Sequence, residues 1–125
     1  MRYLMVTNIS NSGKPYARLI VDGSKTWEIR NRNTRIRGRI GIVFEDRILG
    51  TVVIKSVNGP LTPFKLAKYP YHMSTLKRLR RYCRCSHRNS LYAWVLTGAK
   101  KFDKPKRVKV SFFNAYDWVR IKRIK

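Results

Sequence analysis

The sequence predicts an α+β fold, mainly β: a curved sheet or small barrel of five to six strands, with two to three short helices at its ends. Three observations carry this. Residues 48–57 concentrate β-branched side chains (Thr51, Val52, Val53, Ile54), which fit a pleated, half-buried surface. Residues 39–44 and 108–112 alternate in the period of two that a strand shows to its faces. Helical periodicity is confined to short segments bounded by Gly and Pro.

In chain order, residues 3–9 alternate loosely and read as a first strand, and Asn11-Ser12-Gly13 is turn chemistry. Residues 15–21 form a helix, because Pro15 suits a first turn and Gly23 can end it. Tyr16, Leu19 and Ile20 fall at i, i+3 and i+4 and give it one apolar face. Residues 25–30 are a turn and a strand. Glu28 and Arg30 share one face of that strand, Trp27 and Ile29 the other. Residues 31–37 are a basic, exposed loop.

The strand at 39–44 follows, with Ile40 and Ile42 on one face, then a hairpin turn at Glu45-Asp46-Arg47. Asn58-Gly59-Pro60 ends the next strand. Thr62 caps a short helix with Pro63 at its first position. A further helix starts at Ser74 and carries Leu76 and Leu79 among Lys77, Arg78, Arg80, Arg81 and Arg84. Strands are expected at 91–96 and 108–112. The tail from Trp118 is an edge strand or an ordered arm. With no internal repeat and no low-complexity linker, residues 1–125 read as one domain, 113–125 being its basic terminal strand or arm.

Charge sets the function class. The chain has 29 Lys and Arg against 6 Asp and Glu, a formal net charge of +23. Self-repulsion at that charge is relieved by a polyanion, and cations that neutralise phosphates gain by releasing condensed counterions. Nucleic acid is therefore the expected partner. An anionic membrane is the weaker rival, since no long basic amphipathic helix is present. No apolar run approaches the ~20 residues of a membrane span. The apolar start is too short for a secretory signal, so a cytoplasmic or otherwise intracellular location and a monomer are expected.

Cys83 and Cys85 are two residues apart, with His87 beyond and His72 upstream. A reduced environment keeps such thiols free. The spacing matches no common structural zinc site and the basic surroundings repel a cation, so no metal and no cofactor is expected.

The candidate binding residues fall into groups. Lys25, Thr26, Glu28 and Arg30, with Lys14 upstream, put a compact charged cluster at the turn before a strand. A carboxylate there can accept from a base amino group, and a lysine can hold a phosphate or a base carbonyl. The alternative is a structural ion pair closing the turn. Three basic stretches supply phosphate contacts: Arg30, Arg32, Arg35, Arg37 and Arg39; then Lys77, Arg80, Arg81 and Arg84; then Lys100, Lys101 and Lys104, with Lys106, Arg107 and Lys109 beyond. Tyr92 and Trp94 share a strand face, either as a stacking wall for an unpaired base or as core.

Lys14-Pro15-Tyr16-Ala17 followed by Gly23-x-Lys25-x-x-Glu28-x-Arg30 resembles the signature of the ASCH domain. Gly38-Arg39-Ile40-Gly41-Ile42, Ile48-Leu49-Gly50, Tyr92-Ala93-Trp94-Val95-Leu96, Phe102 and Lys104-Pro105 extend the resemblance over residues 12–112. It implies a PUA-like open β-barrel with a cleft beside the helix-to-strand turn, and binding to RNA or DNA, with RNA favoured. It also implies a second possibility: an enzyme acting on RNA or a modified nucleoside, either a ribonuclease or an N4-acetylcytidine-type amidohydrolase, with Lys25 as the catalytic lysine. In the amidohydrolase branch a threonine stands where this chain has Glu28, and a middle helix supplies an acid. This chain has no carboxylate between Asp46 and Asp103.

Overall fold

Thr51, Val52, Val53 and Ile54 lie mid-strand in a six-stranded mixed sheet, all but Val53 buried. The structure, a computed structural model, describes residues 1–6, 14–112 and 118–124. Its elements run β1 (Arg2–Met5), α1 (Tyr16–Val21), β2 (Trp27–Arg30), β3 (Gly38–Phe44), β4 (Arg47–Leu61), α2 (Pro63–Leu66), α3 (Leu76–Cys85), β5 (Leu91–Phe112) and β6 (Trp118–Ile124). The expected strand residues 7–9, the 11–13 turn and parts of the tail lie outside the described residues. Among the described residues no helix is long and apolar enough to cross a membrane.

The strand order is β2-β5-β4-β3-β1-β6, and β5 also pairs with β6. The hydrogen bonds therefore close a ring through β5, β4, β3, β1 and β6, with β2 attached to β5 from outside that ring. β1 runs parallel to β3; the other pairings are antiparallel. The tail is strand β6, but it is neither an edge strand nor an arm: it pairs with both β1 and β5 and closes the ring.

Two other strand expectations need correction. The 91–96 and 108–112 segments are the ends of one strand of 22 residues. Its first part pairs with β2 and β4, its last part with β6, and irregularities let one strand serve all three. At one of these irregularities β4 and β5 approach so closely that a side chain on Gly50 would strike the carbonyl of Lys100. Likewise Asn58-Gly59-Pro60 does not end β4. The ladder to β5 skips from Asn58 to Leu61, so the missing proline N–H removes no rung.

Helix α1 buries Ala17, Ile20 and Val21, a face turned slightly from the expected one. These residues pack with Leu4, Ile40, Ile42, Val52, Ile54, Trp94 and Leu96 in the main core. Gly23 ends the helix as expected: at φ +87° its N–H reaches the carbonyl of Ile20, and the N–H of Lys25 reaches that of Leu19. Thr62 caps α2 as expected, its side chain accepting from the N–H of Lys65. The cap of α3 is Thr75 rather than Ser74, whose N–H donates instead to His72. Leu79 and Cys83 of α3 pack with Ile29, Leu66, Leu91 and Ala93 in a second core.

Candidate functional site

The Gly23 turn delivers Lys25 inward. Its side chain is 3 % exposed; the ammonium donates to the His72 carbonyl at 2.6 Å, lies 3.5 Å from a Glu28 carboxylate oxygen and sits 4.6 Å from the centre of the Tyr16 ring. Glu28 and Arg30 share the inner face of β2, as the alternation predicts. Arg30 donates to Glu28 Oε2 from Nε at 3.1 Å and from a terminal nitrogen at 2.8 Å, and to the Met5 carbonyl at 2.9 Å. Since β1 is not a sheet neighbour of β2, that last bond ties together two strands that share no ladder. Burial lowers the Lys25 pKa, as do Arg30 and Lys14 more weakly, while Glu28 pulls it back up.

The expectation that these three groups line the mouth of a cleft is altered by their burial: Glu28 is 7 % and Arg30 9 % exposed. Their charges answer one another. What they position is the backbone that follows α2. The carbonyl of Tyr71 accepts from the N–H groups of Thr26 and Trp27, both at 3.1 Å. The next carbonyl, His72, takes Lys25, and the next, Met73, takes Lys14 at 2.7 Å. Three consecutive carbonyls are thus held by residues 14 and 25–27. The sequence reading placed Lys14, Lys25 and Thr26 at the site but missed what they hold, because the acceptors are main-chain atoms and leave no side-chain signature.

His72 belongs to the same clamp. The Ser74 N–H can only donate, so His72 Nδ1 accepts at 3.0 Å, and the ring proton sits on Nε2, which donates to the Leu66 carbonyl at 2.6 Å. Burial, then the nearby Lys25 and Lys14, lower its pKa from 6.5, while the bond to Leu66 opposes them. The unfolded chain therefore takes up this proton first as pH falls. The contribution of His72 to stability is full above pH 6.5 and is lost as the pH drops below it. Urea denaturation should show lower stability at about pH 5.5 than at about pH 7.5, and a His72→Asn variant should flatten that step. An unchanged step would place its origin elsewhere.

The other candidates divide by exposure. For Trp94 the structure takes the core alternative rather than the stacking wall: it is fully buried, its indole N–H donates to the Arg32 carbonyl at 3.0 Å, and its ring stacks on Trp118 at 5.8 Å. Tyr92 is half-buried. Arg39 bridges the Thr51 hydroxyl and the Gly98 carbonyl at 2.8 and 3.0 Å. Arg37 holds the carbonyls of Thr34 and Ile36. Arg32 is half-buried; Arg35, Lys77, Arg80, Arg81, Arg84, Lys100, Lys101 and Lys104 are exposed. The basic positions therefore occupy three places: the β2–β3 connection, α3 and the middle of β5. Cys83 and Cys85 are free thiols, and burial pushes the Cys83 pKa up.

A curled mixed sheet with three short helices, and a lysine carried inward by a helix-to-strand turn, is the mainly β class of fold that the resemblance implies. The structure is similar to that of the ASCH protein from Zymomonas mobilis, with TM-score 0.64 at 18 % identity over 85 % of this chain and 70 % of that one. A tyrosine-to-phenylalanine variant of that protein gives 0.63 at 18 %, over 85 % and 72 %. A serine-to-alanine variant gives 0.61 at 19 %, over 84 % and 71 %. The ASCH domain model matches residues 13–106, and the chain belongs to the ASCH domain family. Its PUA-like fold is generally linked to RNA binding. Comparison with curated protein sequences returns no match.

Proposed function

We propose that this chain is a nucleic-acid-binding module that prefers RNA to DNA. The observation that carries the reading is the state of its charges. Among the described residues, Glu28 is taken up internally by Lys25 and Arg30, and Asp46 lies 3.9 Å from Arg47 and 4.0 Å from Arg107. Exposed pairs of the latter kind stabilise by only about 0–1 kcal/mol. The cations of α3 and mid-β5 are left facing water in a chain of net charge +23. Phosphates are the groups such a surface suits, and the link of the family to RNA favours RNA among polyanions. The Lys25–Glu28–Arg30 network serves as the floor under the 71–73 backbone, with the ligand above it.

Recognition is favoured over reaction by the same geometry. A depressed pKa is what a lysine base requires, yet Lys25 is covered and directs its donors to the His72 carbonyl and Glu28. Filter binding with single-stranded RNA, duplex RNA and duplex DNA at two salt concentrations tests the proposal. Log affinity should fall linearly with log salt, by about 0.7 per phosphate contacted on a single strand, and RNA should bind more tightly than DNA. Affinity weaker than about 1 mM for all three at low salt would overturn it.

A further inference from the structure

Trp27, Tyr69 and Tyr71 form an aromatic cluster at the surface. The Trp27 ring centre lies 5.0 Å from Tyr69 and 5.2 Å from Tyr71; the two tyrosines are 6.3 Å apart with 25° between their planes. Tyr69 is 43 % and Tyr71 47 % exposed, while Trp27 is half-buried and packs against the core beneath α3. Rings usually hide such area. Here the three-carbonyl clamp begins at Tyr71, one proline beyond Tyr69, and fixes Tyr71 against the start of β2. A cluster held in place at its base keeps its outer faces available without losing conformational entropy on contact.

The surroundings say what would lie on it. Phe64 of α2 is 59 % exposed, and the guanidinium of Arg80 lies 5.6 Å from its ring centre. Arg80 also lines a shallow groove of about 340 Å³ with Leu76, Lys77 and Arg84. Leu79 and Cys83, on the inner face of this helix, share their core with Leu66 of α2 and with Trp27. Flat rings and a cationic groove are thus carried by elements that share one core. A ring face suits any base, and the groove suits a phosphate chain. A duplex keeps its base faces stacked on one another, so it gains nothing from exposed rings.

We propose that Trp27, Tyr69 and Tyr71 form a stacking platform for unpaired bases of a single-stranded nucleic acid, whose phosphates run along Lys77, Arg80 and Arg84. The inference rests on the nucleic-acid-binding reading above and narrows its ligand to single strands, loops or bulges. It is tested by fluorescence anisotropy with a labelled single-stranded RNA and a perfect duplex RNA of equal length. Against wild type, the Tyr69→Ala/Tyr71→Ala variant should bind the single strand about 5–100-fold more weakly. Its duplex affinity and its far-UV circular dichroism should not change. The Tyr69→Phe/Tyr71→Phe variant, which keeps the ring faces, should bind as wild type does. If the alanine variant binds the single strand like wild type, or loses both ligands equally, the platform is wrong while the nucleic-acid reading stands. If wild type binds neither RNA, both fall.

Discussion

Replacing Glu28 with alanine should lower the free energy of unfolding by about 3–5 kcal/mol. The reason is the company Glu28 keeps. Lys25, at 3 % exposure, lies 3.5 Å from one of its oxygens, and Arg30 makes two bonds to the other. Alanine removes the carboxylate that both of these covered cations face. Forming the whole network from nothing is nearly neutral by comparison, because three charged groups must leave water to make it. Against a total stability of about 5–15 kcal/mol, the loss amounts to a large fraction. Thermal denaturation followed by circular dichroism should show a fall in Tm of roughly 10–20 °C. Glu28→Gln, which keeps the volume and an acceptor, should fall less. A shift under about 2 °C for the alanine variant would mean that water already reaches the cluster.

The second large effect concerns binding. Changing Lys77, Arg80, Arg81 and Arg84 together to alanine should weaken affinity for single-stranded RNA by roughly 10²–10³-fold near 0.1 M salt. The salt slope should flatten by about 3, at ~0.7 per phosphate contact removed. Stability should hold or improve. Lys77 with Arg81, and Arg80 with Arg84, are like charges one turn apart, and such pairs oppose a helix. The first turn of α3 has no acid to match the positive end of the helix, and the buried Leu79 and Cys83 are left in place. An unchanged slope would move the phosphate contacts to the β2–β3 connection or mid-β5.

Much of the fold could be read from the chain because it depends on local chemistry. Thr62 and Pro63 announce α2, Gly23 ends α1, and the β-branched run of β4 states its own conformation. The misreadings were non-local. Nothing near Lys100–Pro105 says that the strand persists there; it persists because β4, β2 and β6 each take a part of it. Asn58-Gly59-Pro60 has the composition of a break, but the ladder passes over it. At the site, the spacing of Lys25, Glu28 and Arg30 placed the latter two on one face, and the structure keeps them there. Their depth was not legible, since it depends on Met5 and His72, far away in sequence. Nor was the fate of Trp94, which Trp118 and the Arg32 carbonyl enclose.

The closed pairing of the sheet bears on how the protein behaves when crowded. Among the described strands, β2 alone has a single neighbour, and it is four residues long. Exposed strand edges are where chains add to one another and begin to aggregate. In free solution, a charge of +23 keeps copies apart. Along a polyanion that protection is cancelled, and neighbouring copies can be drawn together. A sheet that offers so short an edge allows dense loading on such a scaffold without the copies stitching into fibres.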